Sequence, residues 1–467
     1  MLDVVIVGAG ISGISCAKHI RASDGMRQHR IKVLEATDRT GQFSLRLQED
    51  APKPSCRKTA QLSIGAQPGS TADQGMPLGV IHDFATEKGL MLDKDWMSDP
   101  KWQWEVLPLR HLHGSEASPT EKQAFEEMES AFDSFTDKEA VGDQADEKSL
   151  GALLDEEFQK WAQQKEHDAA MMQTMFEFKK REMSSGVGSP DLYTASANGF
   201  VQAEDGFGHD CIPLPHGYSS IVDAMLKEVP GLEIQHGAAV KEATSHDDHV
   251  EITLENGDKL QARTVVFTVS VGVLKSGQIR FKPELPQEKQ EAIQRMGFGH
   301  VEKCILTFDN DTWETLKHGV HCLWPPERDG YRNAVLNDWE QSIVAFYPNQ
   351  PRSSRSLVAW IVADGFSNTS APEKVMNLLR RCLGRDVPDP VETNLTNWGR
   401  DRRFLGSWSY LSAGQPLDAF GMLGKPFGRV FFGGEHTHPK YFGTAHGAYE
   451  SGARCAQEVI EKLSPPL

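Results

Sequence analysis

The run Val4-Val-Ile-Val-Gly8-Ala-Gly10-Ile-Ser-Gly13 constrains this chain more than any other stretch of its length. Branched apolar residues in succession predict a buried strand, and helical spacing starts at Ile11, so the glycines fall on a strand-to-helix turn. There Gly8 supplies the tight turn, Gly10 lets backbone approach a pyrophosphate, and Gly13 permits close helix–strand packing. A phosphate would meet the amides of Ile11, Ser12 and Gly13 at the helix N-terminus. Glu35 follows Gly13 by 22 residues, where a carboxylate, with Ala36 beside it, would bind ribose hydroxyls. A purely structural glycine turn accounts for the glycines but not for this acid. The expected opening is strand Asp3–Val7, helix Ile11–Ile20 and strand Ile31–Leu34. The expected ligand is a dinucleotide with a free 2′-hydroxyl, either NAD or FAD.

A second segment of similar character lies more than four hundred residues away. Val430–Phe432 reads as a short apolar strand, Gly433-Gly434-Glu435 as a turn bearing a carboxylate, and His446–Leu463 as a helix opening on small residues. Two such segments predict one cofactor closed in by both ends of the chain. Between them, helical spacing dominates from about Lys122 to Lys180. Phe125, Met128, Phe132 and Phe135 share one face, and Ser149 caps a helix carrying Leu153, Leu154, Phe158 and Trp161. These stripes read as core. Strands are expected at Leu232–Ile234, Val250–Leu254 with an Asn256-Gly257 turn, Ala262–Val269, Lys303–Phe308 and Leu357–Val362, and a helix over Glu373–Leu383. The chain is therefore α/β. Residues 1–75, 210–290 and 392–467 are assigned to a Rossmann-like domain, and residues 76–209 and 291–391 to a discontinuous α+β substrate domain.

Composition narrows the functional classes. No apolar run nears the roughly 20 residues needed to cross a bilayer, and no basic segment precedes the first strand, so a cytoplasmic protein is expected. Seven cysteines without a Cys-x-x-Cys pair predict reduced thiols. The net charge of −17 disfavours nucleic acid and would attract a cationic ligand, although the same sign serves solubility alone. His436, His438 and His446 invite a metal, but a metal explains neither Gly434 nor Thr444, and none is expected.

Several further segments carry chemistry: Thr264-Val-Val-Phe-Thr-Val-Ser-Val-Gly-Val-Leu-Lys275, Phe281-Lys-Pro-Glu-Leu-Pro286, Ala292-Ile-Gln-Arg-Met-Gly-Phe-Gly299, Glu302-Lys303 leading to Phe308 and Trp313, Trp398-Gly-Arg-Asp401, Gly406-Ser-Trp-Ser-Tyr410 and Thr444-Ala-His-Gly447. Together they resemble the flavin-dependent amine oxidase family over nearly the whole chain, most closely its polyamine and spermine oxidase branch. The resemblance implies a glutathione-reductase-type FAD domain. Glu35 would bind the adenosine ribose, Val240 the adenine through its backbone, and Glu435 the ribityl chain, with Gly434 also at the cofactor. Trp398 joins the cofactor contacts, and Thr444-Ala445 would set helix amides at the flavin N1–O2 edge. FAD would be noncovalent, because the covalent-flavin cysteine of monoamine oxidases falls near Ser407. Lys303 matches a lysine that holds a water near flavin N5. Trp408 matches an aromatic wall, with Thr444 in place of the second wall of monoamine oxidases.

Two segments depart from the family. Its Gly-Gly-Arg is Gly41-Gln42-Phe43 here, which leaves Arg39 or Arg46 to face the pyrophosphate. Its Gly-Ala-x-Trp-x-His/Glu-Gly loop is Gly65-Ala66-Gln67-Pro68-Gly69-Ser70-Thr71, so Ser70 stands at the titratable substrate contact. Glu182, Asp191, Glu204 and Asp205 are the candidate carboxylates for a substrate ammonium. The implied activity is oxidation of an amine such as spermine, spermidine or an N-acetylated form. Hydride passes to flavin N5, the imine is hydrolysed, and O2 is reduced to hydrogen peroxide. The alternatives are oxidation of another amine or an amino acid, and a flavin-binding sensor that has lost catalysis. Histone demethylation is not expected, since no long coiled-coil insertion is visible. The expected partners are a small amine and O2, and the expected state is a monomer or weak homo-oligomer.

Overall fold

The computed structural model describes residues 1–41, 80–91, 107–136, 147–164, 168–203, 214, 216–326, 330–349, 354–363, 366 and 370–464. Leu2–Val7 (β1) lies at the heart of an eight-stranded sheet. Ile31–Leu34 (β2) and Lys259–Phe267 (β7) flank it in parallel. Val4 to Val7 are buried, which is why this run is apolar throughout rather than alternating. Glu233–Gln235 (β4) pairs beyond β2. The long β7 is shared between two partners: its first half pairs with Val250–Leu254 (β6), and its last three residues with Val430–Phe432 (β16). Val240–Ser245 (β5) and Arg280–Lys282 (β8) complete the sheet.

The second sheet runs Glu392–Leu395 (β14), Val301–Thr307 (β10), Ser356–Val362 (β13), Ala345–Pro348 (β12), Val320–Leu323 (β11) and Leu109–His111 (β3). Its pairing is antiparallel except between β11 and β3. One face, with Cys304, Leu306, Phe346, Leu357 and Ala359, packs into a core with residues of helices 310–316 and 371–383. Alternation puts Lys303, Trp360, Tyr347 and His321 on the other face, where His321 meets Phe178 of helix Ala169–Val187 (here α2; α1 is Ile11–Ala22). A two-stranded ribbon of Gly297–Phe298 (β9) and Ser409–Tyr410 (β15) lies between the layers in sequence.

The last helix, Ala445–Leu463 (α3), lies against α1. The contact is close because Gly452 has no side chain: a Cβ there would stand 2.2 Å from the Ser12 carbonyl oxygen. Ser12 Oγ and Ser451 Oγ are 3.1 Å apart, and Ser15 Oγ donates to the Tyr449 carbonyl at 2.8 Å.

Two expectations are corrected. Cys322 and Cys382 are bonded, with Cα atoms 5.9 Å apart, because β11 and helix 371–383 face each other across one core; Cys16, Cys304 and Cys455 remain buried thiols. Residues 392–395 join the second sheet through β10 rather than the Rossmann-like layer. Among the described residues, no helix is long and apolar enough to cross a membrane.

Candidate active site

At the end of β1, Gly8 adopts φ +109, and a Cβ on it would lie 2.6 Å from Thr268 Oγ1. A Cβ on Gly13 would stand 1.9 Å from the Gly8 carbonyl oxygen, so the turn and helix α1 close on each other only with glycine at both places. Gly10 differs: a Cβ there meets nothing within 4 Å. Gly10 is also the N-cap of α1 and makes no side-chain cap bond, so no capping side chain serves the first-turn amides at Ile11, Ser12 and Gly13. Glu35 stands beside this opening, held by Ala9 N–H on Oε2 at 2.8 Å and Thr37 N–H on Oε1 at 2.9 Å. The Ala238 amide donates to the Glu35 carbonyl at 2.8 Å, which brings in the segment that leads to Val240. Ala36 and Arg39 are half-buried on the same turn, where Thr37 Oγ1 donates to the Arg39 carbonyl at 2.7 Å. Arg403 forks onto Asp401 at 2.7 and 2.6 Å. Its guanidinium is held in the charged form chiefly by Asp401, with Asp38 and Glu35 adding to the effect. Uncapped amides, open space at Gly10, a fixed carboxylate and an adjacent guanidinium fit a dinucleotide such as FAD.

Lys303 is buried in β10, and burial pushes its amine down to about 7. Its Nζ lies 4.1 Å from the ring centroid of Trp360, its partner in the β10–β13 register. Trp360 meets Trp408 edge-on at 6.5 Å, with the ring planes 66° apart. Trp408 Nε1 donates to the carbonyls of Gly186 and Val187, both at 3.2 Å, as α2 ends on left-handed Gly188. A Cβ on Gly443 would touch Trp408 Cδ1 at 3.4 Å. One residue on, Thr444 caps α3: its Oγ1 accepts from Gly447 N–H at 3.1 Å and donates to the Tyr441 carbonyl at 2.7 Å. Ala445 then opens the helix. Glu435, after left-handed Gly434, accepts from the Ser409 hydroxyl and from the amides of Ser409 and Gly443. Desolvation raises its carboxyl pKa against those donors. It thus braces Ser409, next to Trp408, to Gly443, next to Thr444.

The remaining candidates divide. Trp398 packs edge-on to Phe404 at 5.1 Å, and its carbonyl accepts from Gly406 N–H. Ser407 is buried and donates to the Gly299 carbonyl at 2.9 Å. Glu182 is paired with the buried Lys179, and Asp191 with the exposed Arg332 at 2.7 Å, so both carboxylates already hold a cation of the chain. Ser70, Arg46, Glu204 and Asp205 lie outside the described residues. His438 bonds Glu450 at 2.8 Å and accepts from Tyr441 N–H, whereas His436 is buried and held down to about 3 by its surroundings. Among the described residues no three His, Cys, Asp or Glu side chains gather as a metal site. Trp360 and Arg403 had not been singled out in the sequence. The only available signal for Trp360 was its place in an expected strand, since the register that sets it opposite Lys303 is a tertiary fact.

A family model described as flavin containing amine oxidoreductase matches residues 105–460, and one for an NAD(P)-binding Rossmann-like domain matches residues 6–61. The chain is 29% identical over 474 residues to lysine-specific histone demethylase 1 homolog 3 of Oryza sativa subsp. indica, covering 98% of this chain and 54% of that protein. It is 31% identical over 245 residues to polyamine oxidase 2 of Arabidopsis thaliana, covering 52% of this chain and 47% of the relative. The chain thus spans about half the length of the curated relatives it matches. Among solved structures, putrescine oxidase bound to putrescine superposes with a TM-score of 0.67 at 16% identity, covering 98% of this chain and 99% of the other. Cyclohexylamine oxidase from Brevibacterium oxydans IH-35A gives 0.65 at 18% identity, covering 99% of both chains. These two likenesses concern the fold. The family match extends over most of the length and takes in Lys303, Trp408 and Thr444, and on it the chain belongs to the flavin-containing amine oxidoreductases.

Proposed function

We propose that this protein oxidises an aliphatic amine with noncovalently bound FAD, and that the amine is a polyamine such as spermine, spermidine or an N-acetylated form. The observation that carries the reading is Lys303: a buried amine brought to about 7, lying over Trp360 and next to the Trp408 wall. FAD, when bound, would supply the two-electron acceptor for oxidation of the carbon beside the amine nitrogen. The chain does the rest. The amides of Ile11, Ser12 and Gly13 hold the pyrophosphate, with Arg39 and Arg403 beside it. Glu35 holds the ribose, and Val240, Trp398, Gly434, Glu435 and Ala445 shape the remaining contacts. Trp360 and Trp408 exclude water, which favours the neutral amine whose lone pair the reaction needs, and line the path of its alkyl chain. Above pH 7 Lys303 Nζ is free of its third proton and serves as an acceptor for a bound water.

A second reading is favoured by the demethylase relatives, which align over 98% of this chain. It has the same oxidation performed on the methylated side-chain nitrogen of a peptide lysine. The internal pairing of Glu182 and Asp191 also leaves fewer carboxylates for a polycation. Anaerobic mixing of the yellow protein with polyamines, monoamines, amino acids and a dimethyl-lysine peptide separates the cases. Bleaching by polyamines supports the first reading and bleaching by the peptide the second. No bleaching by any of them leaves a flavin-binding sensor.

A further inference from the structure

We infer that Glu302 is a positioning residue that fixes Lys303 and Trp398 relative to each other; this rests on the flavin reading above. Glu302 and Lys303 are neighbours on a strand buried along its whole length, so their side chains leave opposite faces of the sheet. Lys303 goes to Trp360, while the Glu302 carboxylate is 2% exposed on the side of the 396–399 turn. There Oε2 accepts from Thr396 Oγ1 at 2.6 Å and Oε1 from the Gly399 amide at 2.9 Å.

Strand β14 ends at Leu395, opposite Cys304. The next rung is made by Thr396: its amide donates to the Lys303 carbonyl at 3.0 Å, and its Oγ1 accepts from Lys303 N–H at 2.8 Å. That one hydroxyl therefore links the backbone of Lys303 to the carboxylate of Glu302. Glu302 then reaches past Thr396 to Gly399, so both ends of the turn that carries Trp398 are tied to the strand that carries Lys303. Gly399 is required there, since a Cβ would press on His300 Nδ1 at 2.8 Å. A buried carboxylate is costly unless donors satisfy it, and these two donors belong to a single four-residue turn. Its geometry is that of a clamp on the turn.

An amide in place of the carboxylate keeps the shape but can accept one of these bonds only by turning its NH2 toward the other donor. Glu302→Gln and Thr396→Val are each expected to weaken FAD binding about tenfold, read from the fluorescence of released flavin. Each should also alter the visible circular dichroism of the bound flavin and shift the Lys303 limb in the pH profile of flavin reduction. The double variant should be less impaired than the sum of the two single ones, because both remove the shared Thr396–Glu302 bond. Thr396→Ser, which keeps the hydroxyl, should restore the wild-type dichroism and limb. Thr396→Val also serves as the test should Glu302→Gln fail to fold. A lowered Tm with unchanged FAD affinity, dichroism and pH limb would reduce Glu302 to a structural residue and overturn the inference. Failure of the wild-type chain to bind FAD would instead overturn the flavin reading beneath it.

Discussion

Burial and the Trp360 ring act on the Lys303 amine in opposite directions. Burial disfavours the ammonium, whereas the Trp360 face at 4.1 Å favours it, and burial wins, leaving the amine at about 7 against an ordinary 10.5. Between those two values the folded chain carries one proton fewer at this position than the unfolded chain. Lys303 therefore costs stability in full below pH 7, and that cost fades as pH rises toward 10.5. Lys303→Met should be stabilised relative to wild type most at and below pH 7, with the gap closing by pH 10.5 in denaturant titrations across pH. The same variant should keep FAD, slow flavin reduction or reoxidation in stopped flow, and lose the limb near pH 7. Trp360→Leu removes the favourable face and should move that limb about half to one unit lower. A limb that stays in place would mean that the ring does not act on the amine.

Among elements, the two helix starts assigned to the cofactor in the proposed function are built differently. Helix α1 relies on glycine at Gly8, Gly10 and Gly13, while α3 has a side-chain cap in Thr444. Gly13→Ala places a methyl group 1.9 Å from a backbone oxygen, and the chain should lose FAD and roughly 2 kcal/mol or more of stability. Thr444→Ala should cost about 1 kcal/mol by thermal denaturation and weaken FAD binding with it. Wild-type flavin retention in Thr444→Ala would separate that cap from the cofactor. Elements such as β1, β2, β6 and β16 were legible in the sequence because continuous or strictly alternating apolar runs fix a strand without reference to its neighbours. The aromatic stripe from Phe125 to Phe135 was legible as core for the same reason, and all four of its members are buried. The strands β3, β11, β12 and β14 escaped notice, since short runs that contain Arg, His, Pro or several polar residues acquire strand identity from pairing, not from pattern. The site divides along the same line. Glycines and caps announce themselves locally. Trp360, Arg403 and the Glu302 clamp depend on register and loop docking, which local spacing does not encode. Ser70, the expected substrate contact, falls outside the described residues.

At the scale of the whole molecule, the net charge of −17 produces a field that a cationic amine feels before contact. The second-order rate of flavin reduction by a polyamine should fall several-fold between about 10 and about 200 mM salt, with the limiting rate little changed. A rate constant insensitive to salt would show that the charge serves solubility only. The contact between Ser12 and Ser451 carries a different consequence, one of timing. These hydroxyls are 3.1 Å apart in the fold and 439 residues apart in the chain. At ordinary translation speeds roughly 20–90 s separate their synthesis. The glycine loop is thus made long before the helix that packs on it. A ribosome-bound chain halted before Gly433 should capture no flavin, so the whole stretch from the glycine loop to helix α3 must be made before a cofactor can begin to stabilise the fold.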